Sequence, residues 1–230
     1  MSDDGRNSIA LRIVLGSIQV VALVVVWFWI AGRVDWIQAW IMIVVFMIYL
    51  IVLVWRLSRI DPALMRERGQ RAEDVEPWDR VVIGVYVVLL VVLFVAAALD
   101  GGRFRWSVVP VWVQALGWML ICAAGAIVWH VMGINTYLSS YVRLQEDRGQ
   151  VVVKDGLYGF VRHPMYAGIV LAFLGLPLAL GSWWALIPGA LIDAVFVYRT
   201  AREDRTLQEG LEGYAEYAHK VRYRLFPGVW

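Results

Sequence analysis

Residues 154–168 form the polar segment of this chain that is best suited to chemistry. Within it, Arg162 and His163 precede Pro164, and Tyr166 follows. Proline is favoured in the first turn of a helix, because the backbone N–H that it lacks has no intrahelical partner there. We therefore predict that Arg162 and His163 lie at a helix N-terminus, where free N–H groups and the helix dipole attract an anion such as a carboxylate.

A second polar cluster ends the last apolar run and comprises Arg199, Arg202, Glu203 and Asp204. Arg199 and Glu203 are four residues apart, so on a helix they share one face and could form an ion pair. Two carboxylates at a helix end suit a ribose diol or a cationic amine, whereas arginine suits a carboxylate. An ordinary charged helix end is the alternative interpretation of this cluster.

The composition indicates the environment in which these clusters lie. Hydrophobic residues make up 61% of the chain and charged residues 17%, whereas a soluble domain has about 45–50% and about 25%. The mean hydropathy is +0.66 and the net charge is +2, which argues against a disordered chain and a nucleic-acid-binding module. The single cysteine, Cys122, can form no intrachain disulfide. We predict one all-α integral membrane domain over residues 1–230.

Six apolar runs are candidates for membrane-spanning helices, which need about 20 mostly apolar residues. The last two runs are separated only by Gly181 and Ser182 and should form a tight hairpin. At 16 residues each they are short, so a re-entrant pair is the alternative. The six runs are Ile13–Ala31, Trp36–Leu57, Val81–Leu99, Val108 to about Met132, Met165–Leu180 and Trp183–Tyr198.

Two further helices are expected outside the membrane. Asp61 and Pro62 can cap and begin a short surface helix from Ala63 to about Arg68, either as a solvated connector or as a lid over a cytosolic site. From Glu203 onward, apolar residues recur every three or four positions, which predicts a C-terminal amphipathic cytosolic helix that packs on the protein's own surface. Its apolar positions are Leu207, Leu211, Tyr214, Ala218 and Val221. The final residues, 221–230, mix basic and aromatic types as an interfacial anchor would.

The basic residues predict the orientation of the six spans. With both termini in the cytosol, 18 of the 21 Lys and Arg residues fall in cytosolic segments, as the positive-inside rule requires. The protein would then lie in the plasma membrane, the inner membrane if it is bacterial. Four tryptophans at the outer loops would form an aromatic belt. These are Trp36, Trp106, Trp183 and Trp184.

Polar and small residues within the spans have two interpretations each. Asp193 is the only acid there, and either a functional role or a hydrogen bond to a neighbouring helix would explain it. Gln19, Gln38 and Gln114 are typical of contacts between helices. A stripe of small residues could serve helix packing, but beside Arg162 and Tyr166 we interpret it as the wall of a ligand cleft. The stripe consists of Gly168, Ala172, Gly175 and Ala179.

Several linked motifs of the C-terminal half resemble a known enzyme family. The first motif is Gly156-x-Tyr158-x-x-x-Arg162-His163-Pro164-x-Tyr166-x-Gly168. Three more follow it: Glu203-Asp204-x-x-Leu207, Tyr214-x-x-Tyr217 and Arg224-Leu225-Phe226-Pro227-Gly228-Val229-Trp230. Together they resemble the isoprenylcysteine carboxyl methyltransferases and their phospholipid methyltransferase-like bacterial relatives. The resemblance covers residues 129–230, and residues 1–107 carry no signature. The family often has Glu-Glu at positions 203–204 and Gly-Pro-Tyr at positions 156–158.

The resemblance implies methyl transfer from S-adenosylmethionine to a lipophilic substrate that enters from the membrane, without a metal or nucleic acid. It implies a cofactor site made of Gly156, Tyr158, Arg162, His163, Pro164, Tyr166, Gly168, Glu203 and Asp204. The acceptor could be a prenylated cysteine carboxylate, a small prenyl thioether acid, a phospholipid amine or another lipophilic metabolite. We expect O-methylation of a carboxylate such as a prenylcysteine-type acid.

Arg199 and Glu203 are the predicted catalytic residues. Methyl transfer is an in-line displacement that depends mainly on the positions of the nucleophile and the methyl carbon. A carboxylate nucleophile is already ionised at pH 7 and needs a cation to align it, for which Arg199 is the candidate. An amine or thiol would need a proton acceptor, such as Glu203 or His130. His130, Asn135 and Arg202 are further candidates for substrate contact.

Two other classes of protein fit parts of the sequence. Sterol reductases resemble the same C-terminal region but use a reduced nicotinamide cofactor, and Pro164 after the Arg-His pair favours the methyltransferases. A transporter or scaffold is the non-enzymatic alternative. Transporters usually show internal repeats, and the sequence has none that we detect.

Overall fold

The computed structural model describes residues 3–62, 64 and 76–230, and the regular structure of these residues is helical. It thereby confirms the predicted all-α class. A π-helical segment, Ala98–Phe104, continues the third helix, and two short 3-10 helices, Glu146–Arg148 and Gly156–Gly159, lie between the fourth and fifth. The α-helices are α1 (Asp3–Ala31), α2 (Ile37–Ile60), α3 (Pro77–Ala97), α4 (Val111–Ile134), α5 (Pro164–Ala179), α6 (Leu186–Gly210) and α7 (Tyr214–Lys220).

Three of these helical stretches are long and apolar enough to cross a membrane: Ile37–Ile60, Pro77–Phe104 and Val111–Ile134. They correspond to the second, third and fourth predicted spans. Leu15–Ala31, the part of α1 whose side chains the structure describes, and Pro164–Ala179 are apolar but shorter, so the count of six spans stays a prediction. The sixth predicted span is part of the longer helix α6, which therefore carries its polar end, residues 199–204, on one rigid element.

Helices α4 and α5 approach each other through glycine. A Cβ atom on Gly175 would lie 2.6 Å from the carbonyl oxygen of Gly117, and one on Gly117 would lie 2.6 Å from the backbone nitrogen of Ala179. Gly168 faces the Ile127 side chain in the same interface. Small residues permit this close packing of backbones, so the stripe on α5 serves helix packing. Our interpretation of the stripe as the wall of a ligand cleft is wrong.

Polar contacts join the helices at the end opposite the two chemical clusters. The carboxylate of Asp100, which is fully buried, accepts hydrogen bonds from the hydroxyls of Ser107 (2.7 Å) and Ser182 (2.6 Å). This network ties the π-helical segment to the turn between α5 and α6. Gln38 of α2 donates to Gln114 of α4 at 3.3 Å, which confirms the predicted contact between helices for these two residues. Gln19 of α1 is exposed.

The predicted outer belt of tryptophans is only partly formed. Trp106, Trp183 and Trp184 are exposed, the last with 56% of its surface accessible. Trp36 is only 2% exposed and packs against Trp27, with 5.2 Å between the ring centroids. It is therefore a core residue, and its place in the belt was predicted wrongly.

The predicted C-terminal helix is interrupted, and the residues after it fold back onto the protein. The chain turns at Gly213, whose φ of +76° favours glycine, so the predicted amphipathic stretch becomes the end of α6 and the short helix α7. Beyond α7, the carbonyl groups of Tyr223 and Arg224 accept the backbone N–H groups of Arg162 and His163 at 2.9 and 2.8 Å. The final segment, for which the sequence predicts an interfacial anchor, thus crosses the start of α5.

The connector after α2 is described only at its start. The Asp61 carboxylate accepts the backbone N–H of Leu64 at 2.9 Å, as the predicted cap would. The rest of the predicted surface helix, Ala63 to about Arg68, lies outside the described residues.

The orientation predicted from the basic residues can be tested by labelling cysteines. Cys122 is exposed on α4, so Cys122→Ala provides a background without cysteine. We expect Val108→Cys, at a residue 86% exposed, to react with a membrane-impermeant maleimide from outside the cell. Lys154→Cys, also at an exposed position, should react only in inverted vesicles. Labelling of both positions from the same side would contradict the predicted topology.

Candidate functional site

One cavity of about 400 Å³ lies where the polar ends of α4, α5 and α6 meet. Its walls come from α3, from the segment 135–153 after α4, from the motif before α5 and from the helices α5, α6 and α7. Five of the nine predicted cofactor residues line it, together with the predicted catalytic Arg199 and the predicted substrate residue Asn135. The five are Tyr158, Arg162, His163, Tyr166 and Glu203.

Asp204 is the hub of a buried network behind the cavity wall. Its carboxylate receives Arg162 Nε and Nη2 at 2.7 and 2.9 Å, Arg224 Nε at 2.9 Å and the Tyr214 hydroxyl at 3.1 Å. His163 Nε2 lies 3.2 Å from the same carboxylate. Burial alone would raise the pKa of Asp204, but the hydrogen bonds from His163, Arg162 and Arg224 hold it well below its ordinary value. The ionised carboxylate therefore joins the motif to α6 and the C-terminal segment.

Arg162 is used largely by the protein itself. Besides Asp204, it binds the carbonyl oxygens of Val221 and Arg222 through Nη1 at 2.7 and 2.9 Å. The backbone N–H groups of Arg162 and His163 are also taken by carbonyls of the C-terminal segment. The predicted anion site at the helix N-terminus thus has most of its donors already engaged. Arg162 therefore holds the C-terminal segment in place and also lines the cavity.

Arg199 has a different partner from the one that the sequence suggested. Its Nε and Nη2 atoms bind both oxygens of Asp79, at 2.7 and 3.0 Å, and Nη2 also donates to the carbonyl of Ser140 at 3.0 Å. Both Arg199 and Asp79 are buried. The predicted pair of Arg199 with Glu203 is replaced by this bidentate pair with α3, and Arg199 also lines the cavity.

Glu203 and Tyr166 form a second polar part of the cavity wall. The Tyr166 hydroxyl donates to Glu203 Oε2, and the ring of His163 stacks on Tyr166 with 5.8 Å between centroids and 8° between planes. The guanidinium of Arg199 lies 5.5 Å from the centroid of the same tyrosine ring. An aromatic face beside a carboxylate is an environment that stabilises a bound organic cation.

Tyr158 presents a hydroxyl donor to the cavity. Its oxygen accepts a hydrogen bond from Asn135 Nδ2 at 2.6 Å, and its carbonyl accepts the Tyr217 hydroxyl at 2.7 Å. Burial raises the pKa of Tyr158 far above its ordinary value, so the hydroxyl keeps its proton. Because Asn135 occupies the oxygen as a donor, the tyrosine proton can serve an acceptor group in the cavity.

The other predicted site residues lie away from the wall. Gly168 is in the interface with α4, and Asp204 lies behind the wall. A Cβ atom on Gly156 would meet His130 Nε2 at 2.3 Å, so these two predicted residues pack on each other. Arg202 lies over the ring of Trp78, 5.1 Å from its centroid. Pro164 begins α5 as expected but does not line the cavity.

Sequence reasoning missed Asp79 and the wall formed by segment 135–153. Asp79 follows Glu76-Pro77-Trp78, an ordinary helix start, so nothing in the local pattern marks it as a partner of the site. The lining residues of segment 135–153 are mixed in type, and no motif or period distinguishes them. These features become recognisable only when the distant helices are brought together.

Comparison with known proteins agrees with the resemblance seen in the motifs. Residues 112–212 match the phospholipid methyltransferase family. This match, which includes the Arg-His-Pro motif and the Glu-Asp pair, confirms the predicted resemblance. The fold is similar to the structure of a eukaryotic intramembrane Ras methyltransferase, the isoprenylcysteine carboxyl methyltransferase, with a TM-score of 0.50 and 17% identity. The similarity covers 63% of this chain and 52% of that protein, so the chain spans about half of its length.

Family and fold together support a membrane methyltransferase. The segment 112–212 contains α4, α5, α6 and the loop that bounds the cavity, whereas α3 lies outside it. The part of the chain that matches the methyltransferases is therefore the part that contributes most of the cavity wall.

Proposed function

We propose that this protein is an integral-membrane methyltransferase that uses S-adenosylmethionine to methylate a lipophilic acceptor, with a carboxylate such as a prenylcysteine-type acid as the substrate class. The observation that carries the proposal is a cavity lined by both polar and apolar side chains. Tyr158, Glu203 and Arg199 belong to its polar wall residues, and Ile83 and Phe196 belong to its apolar wall residues. A charged donor and a lipophilic acceptor need these two environments side by side.

The residues of the polar wall fit S-adenosylmethionine. Its sulfonium suits the ring of Tyr166 and the carboxylate of Glu203, and the hydroxyl of Tyr158 can donate to its carboxylate or ribose. A volume of about 400 Å³ lies within the usual range of small-molecule sites, about 300–1,000 Å³. When bound, S-adenosylmethionine supplies the methyl group. We propose that Tyr158, His163, Tyr166 and Glu203 hold it.

The acceptor side depends on Arg199 and on the apolar wall. Among the hydrogen bonds of the described residues, Arg199 uses Nε and Nη2, so the N–H groups of Nη1 can bind a carboxylate in the cavity. Ile83, Tyr86 and Ile169 come from α3 and α5 and would contact the lipophilic part. These helices also carry exposed apolar side chains that suit lipid, so we propose that the acceptor enters laterally from the bilayer. The cofactor would enter from the cytosol.

Calorimetry on the purified protein tests the cofactor. We expect S-adenosylmethionine and S-adenosylhomocysteine to bind and NADPH not to bind. Binding of NADPH alone would overturn the proposal in favour of a reductase.

The acceptor class is tested with labelled S-adenosylmethionine and three lipophilic probes. We expect methylation of N-acetyl-S-farnesylcysteine but not of N-acetyl-S-farnesylcysteamine, a matched control that differs only by lacking the carboxylate. Phosphatidylethanolamine is the third probe, and its methylation would identify an amine acceptor instead. Binding of the cofactor without transfer to the first probe would contradict the proposed substrate class.

We expect His163→Ala to weaken the binding of S-adenosylhomocysteine. His163 is buried on the cavity wall, where it stacks on Tyr166 and contacts Asp204. We propose that His163 also binds the carboxylate of the cofactor, and loss of a hydrogen bond to a charged group costs about 1.5–3 kcal/mol. Calorimetry measures this loss as a lower affinity. His219→Ala is the matched control, since His219 is exposed on α7. Equal affinities for the wild type and the folded His163 variant would place the cofactor elsewhere.

A further inference from the structure

Asp79 is a fully buried carboxylate in the first turn of α3, outside the segment that matches the methyltransferase family. It is 120 residues from Arg199 in the sequence. Its oxygens accept Arg199 Nε at 2.7 Å, Arg199 Nη2 at 3.0 Å and the backbone N–H of Val142 at 2.8 Å. One side chain therefore contacts both the predicted catalytic arginine and the loop that covers the cavity.

The contacts of Asp79 determine the orientation of the Arg199 guanidinium group. A guanidinium group is planar, so fixing Nε and Nη2 on one carboxylate also fixes the direction of Nη1. The carbonyl of Ser140 takes the second N–H of Nη2, and the ring of Tyr166 lies 5.5 Å away. The arginine is held in one orientation. Its hydrogen bonds to the described residues use Nε and Nη2, so Nη1 is the nitrogen with donors left for a ligand in the cavity that Arg199 lines.

The carboxylate of Asp79 also binds the loop that forms the adjacent wall of the cavity. Val142 donates its N–H to Asp79 and accepts the N–H of Glu76 at 3.2 Å, so the loop is attached to the start of α3 on both sides of one residue. Ser140 is attached through Arg199, and Ser140 and Val142 both line the cavity. A change at Asp79 would therefore affect the orientation of Arg199 and the position of the wall beside it.

We propose that Asp79 is a positioning residue for methyl transfer: it aligns Arg199 on the acceptor and so gives the N-terminal half of the chain a role in turnover. This inference rests on the proposed function, in which Arg199 binds the acceptor carboxylate. Asp79 also neutralises the buried positive charge of Arg199. Arg199 can therefore direct N–H donors at the acceptor without being an unpaired buried cation.

The kinetic consequences of losing Asp79 follow from this dual role. Asp79→Asn keeps the size of the side chain but removes its charge, which leaves Arg199 with its positive charge and with freedom to turn. An anionic acceptor should then bind no more weakly, but in worse alignment. We expect kcat to fall at least about ten-fold, since small errors in alignment cost large factors in rate. The KM for N-acetyl-S-farnesylcysteine should not rise.

The experiment compares Asp79→Asn, Asp79→Glu, Arg199→Ala and the double variant that combines Asp79→Asn with Arg199→Ala. For each variant it measures kcat, the KM of both substrates and the affinity for S-adenosylhomocysteine. Because Asp79 acts through Arg199, the double variant should be no slower than Arg199→Ala alone. Asp79→Glu keeps the charge and should recover part of the rate. Asp100→Asn is the matched control, since Asp100 is equally buried and hydrogen-bonded but lies at the other end of the helices.

The outcomes separate this inference from the proposed function. A wild-type protein that transfers no methyl group would overturn both. An active wild type with Asp79→Asn at the same rate would overturn only the inference, as would a double variant whose rate loss is the product of the two single losses. Equal slowing by Asp100→Asn would also overturn it. If Asp79→Asn loses S-adenosylhomocysteine affinity, Asp79→Glu takes its place, and its expected result is a smaller fall in kcat without a rise in KM.

Discussion

Asp204→Asn should destabilise the protein by about 3–5 kcal/mol, because it leaves a buried cation without its counter-charge. Asparagine has nearly the same shape, but it carries no charge and turns one acceptor oxygen into an amide donor. That amide would face Arg162, which is buried and donates to both oxygens of Asp204. Arg224 and His163 would lose the same partner. We expect the C-terminal segment to detach from α5 and the affinity for S-adenosylhomocysteine to fall with the stability.

The loss can be measured as a lower midpoint of thermal unfolding in detergent and compared with Asp147→Asn. Asp147 pairs with Arg143 at 3.0 Å, but its side chain is 61% exposed, and an ion pair with a solvent-exposed carboxylate contributes little to stability. Similar midpoints for the two variants would show that Asp204 does not hold the site together.

Acidification of the wild type should reproduce part of the Asp204 effect. The pKa of Asp204 in the folded protein lies below its ordinary value of 3.8. A group whose pKa is lowered by folding stabilises the folded state fully above the unfolded pKa, and this contribution is lost as the pH falls towards the folded pKa. The difference in stability between the wild type and Asp204→Asn should therefore be constant near neutral pH and shrink below about pH 4.

Hydropathy predicted much of the fold, because the signal for a membrane helix is local and strong. The helices α2, α3 and α4 correspond to apolar runs that can be read in a single window. The start of α5 at Pro164 was also predictable, because one residue type carries the information. The five predicted cofactor residues that line the cavity come from short motifs, in which spacing along the chain reflects position in space.

Contacts between distant segments could not be predicted in the same way. Hydropathy gives no partner for Asp79, and the local spacing favoured Glu203 as the partner of Arg199. Tryptophan suits either the membrane interface or the core, and glycine suits either a ligand site or a helix interface. Only the packing of neighbouring helices places Trp36 in the core and Gly168 in the interface with α4. The return of the C-terminal segment depends on Arg162 and carbonyl groups, and backbone groups leave no trace in the sequence.

Arg199→Lys should slow methyl transfer about 100-fold at saturating S-adenosylmethionine, because misalignment of the reacting groups by about 1 Å can cost that much. Lysine keeps the charge but lacks the planar fork. It cannot bind both oxygens of Asp79 and the Ser140 carbonyl while also directing donors into the cavity. The affinity for S-adenosylhomocysteine should stay close to that of the wild type, since we place the cofactor on Tyr158, His163, Tyr166 and Glu203.

Arg202→Lys is the matched control for this prediction. Arg202 lies one turn further along α6 but over the ring of Trp78, away from the cavity. A general effect of replacing arginine on α6 would slow both variants, whereas loss of acceptor alignment would slow only Arg199→Lys. If Arg199→Lys and Arg199→Ala both turn over at the wild-type rate, Arg199 serves only to join α6 to α3. Arg162, which also lines the cavity, would then be the next candidate for the acceptor carboxylate.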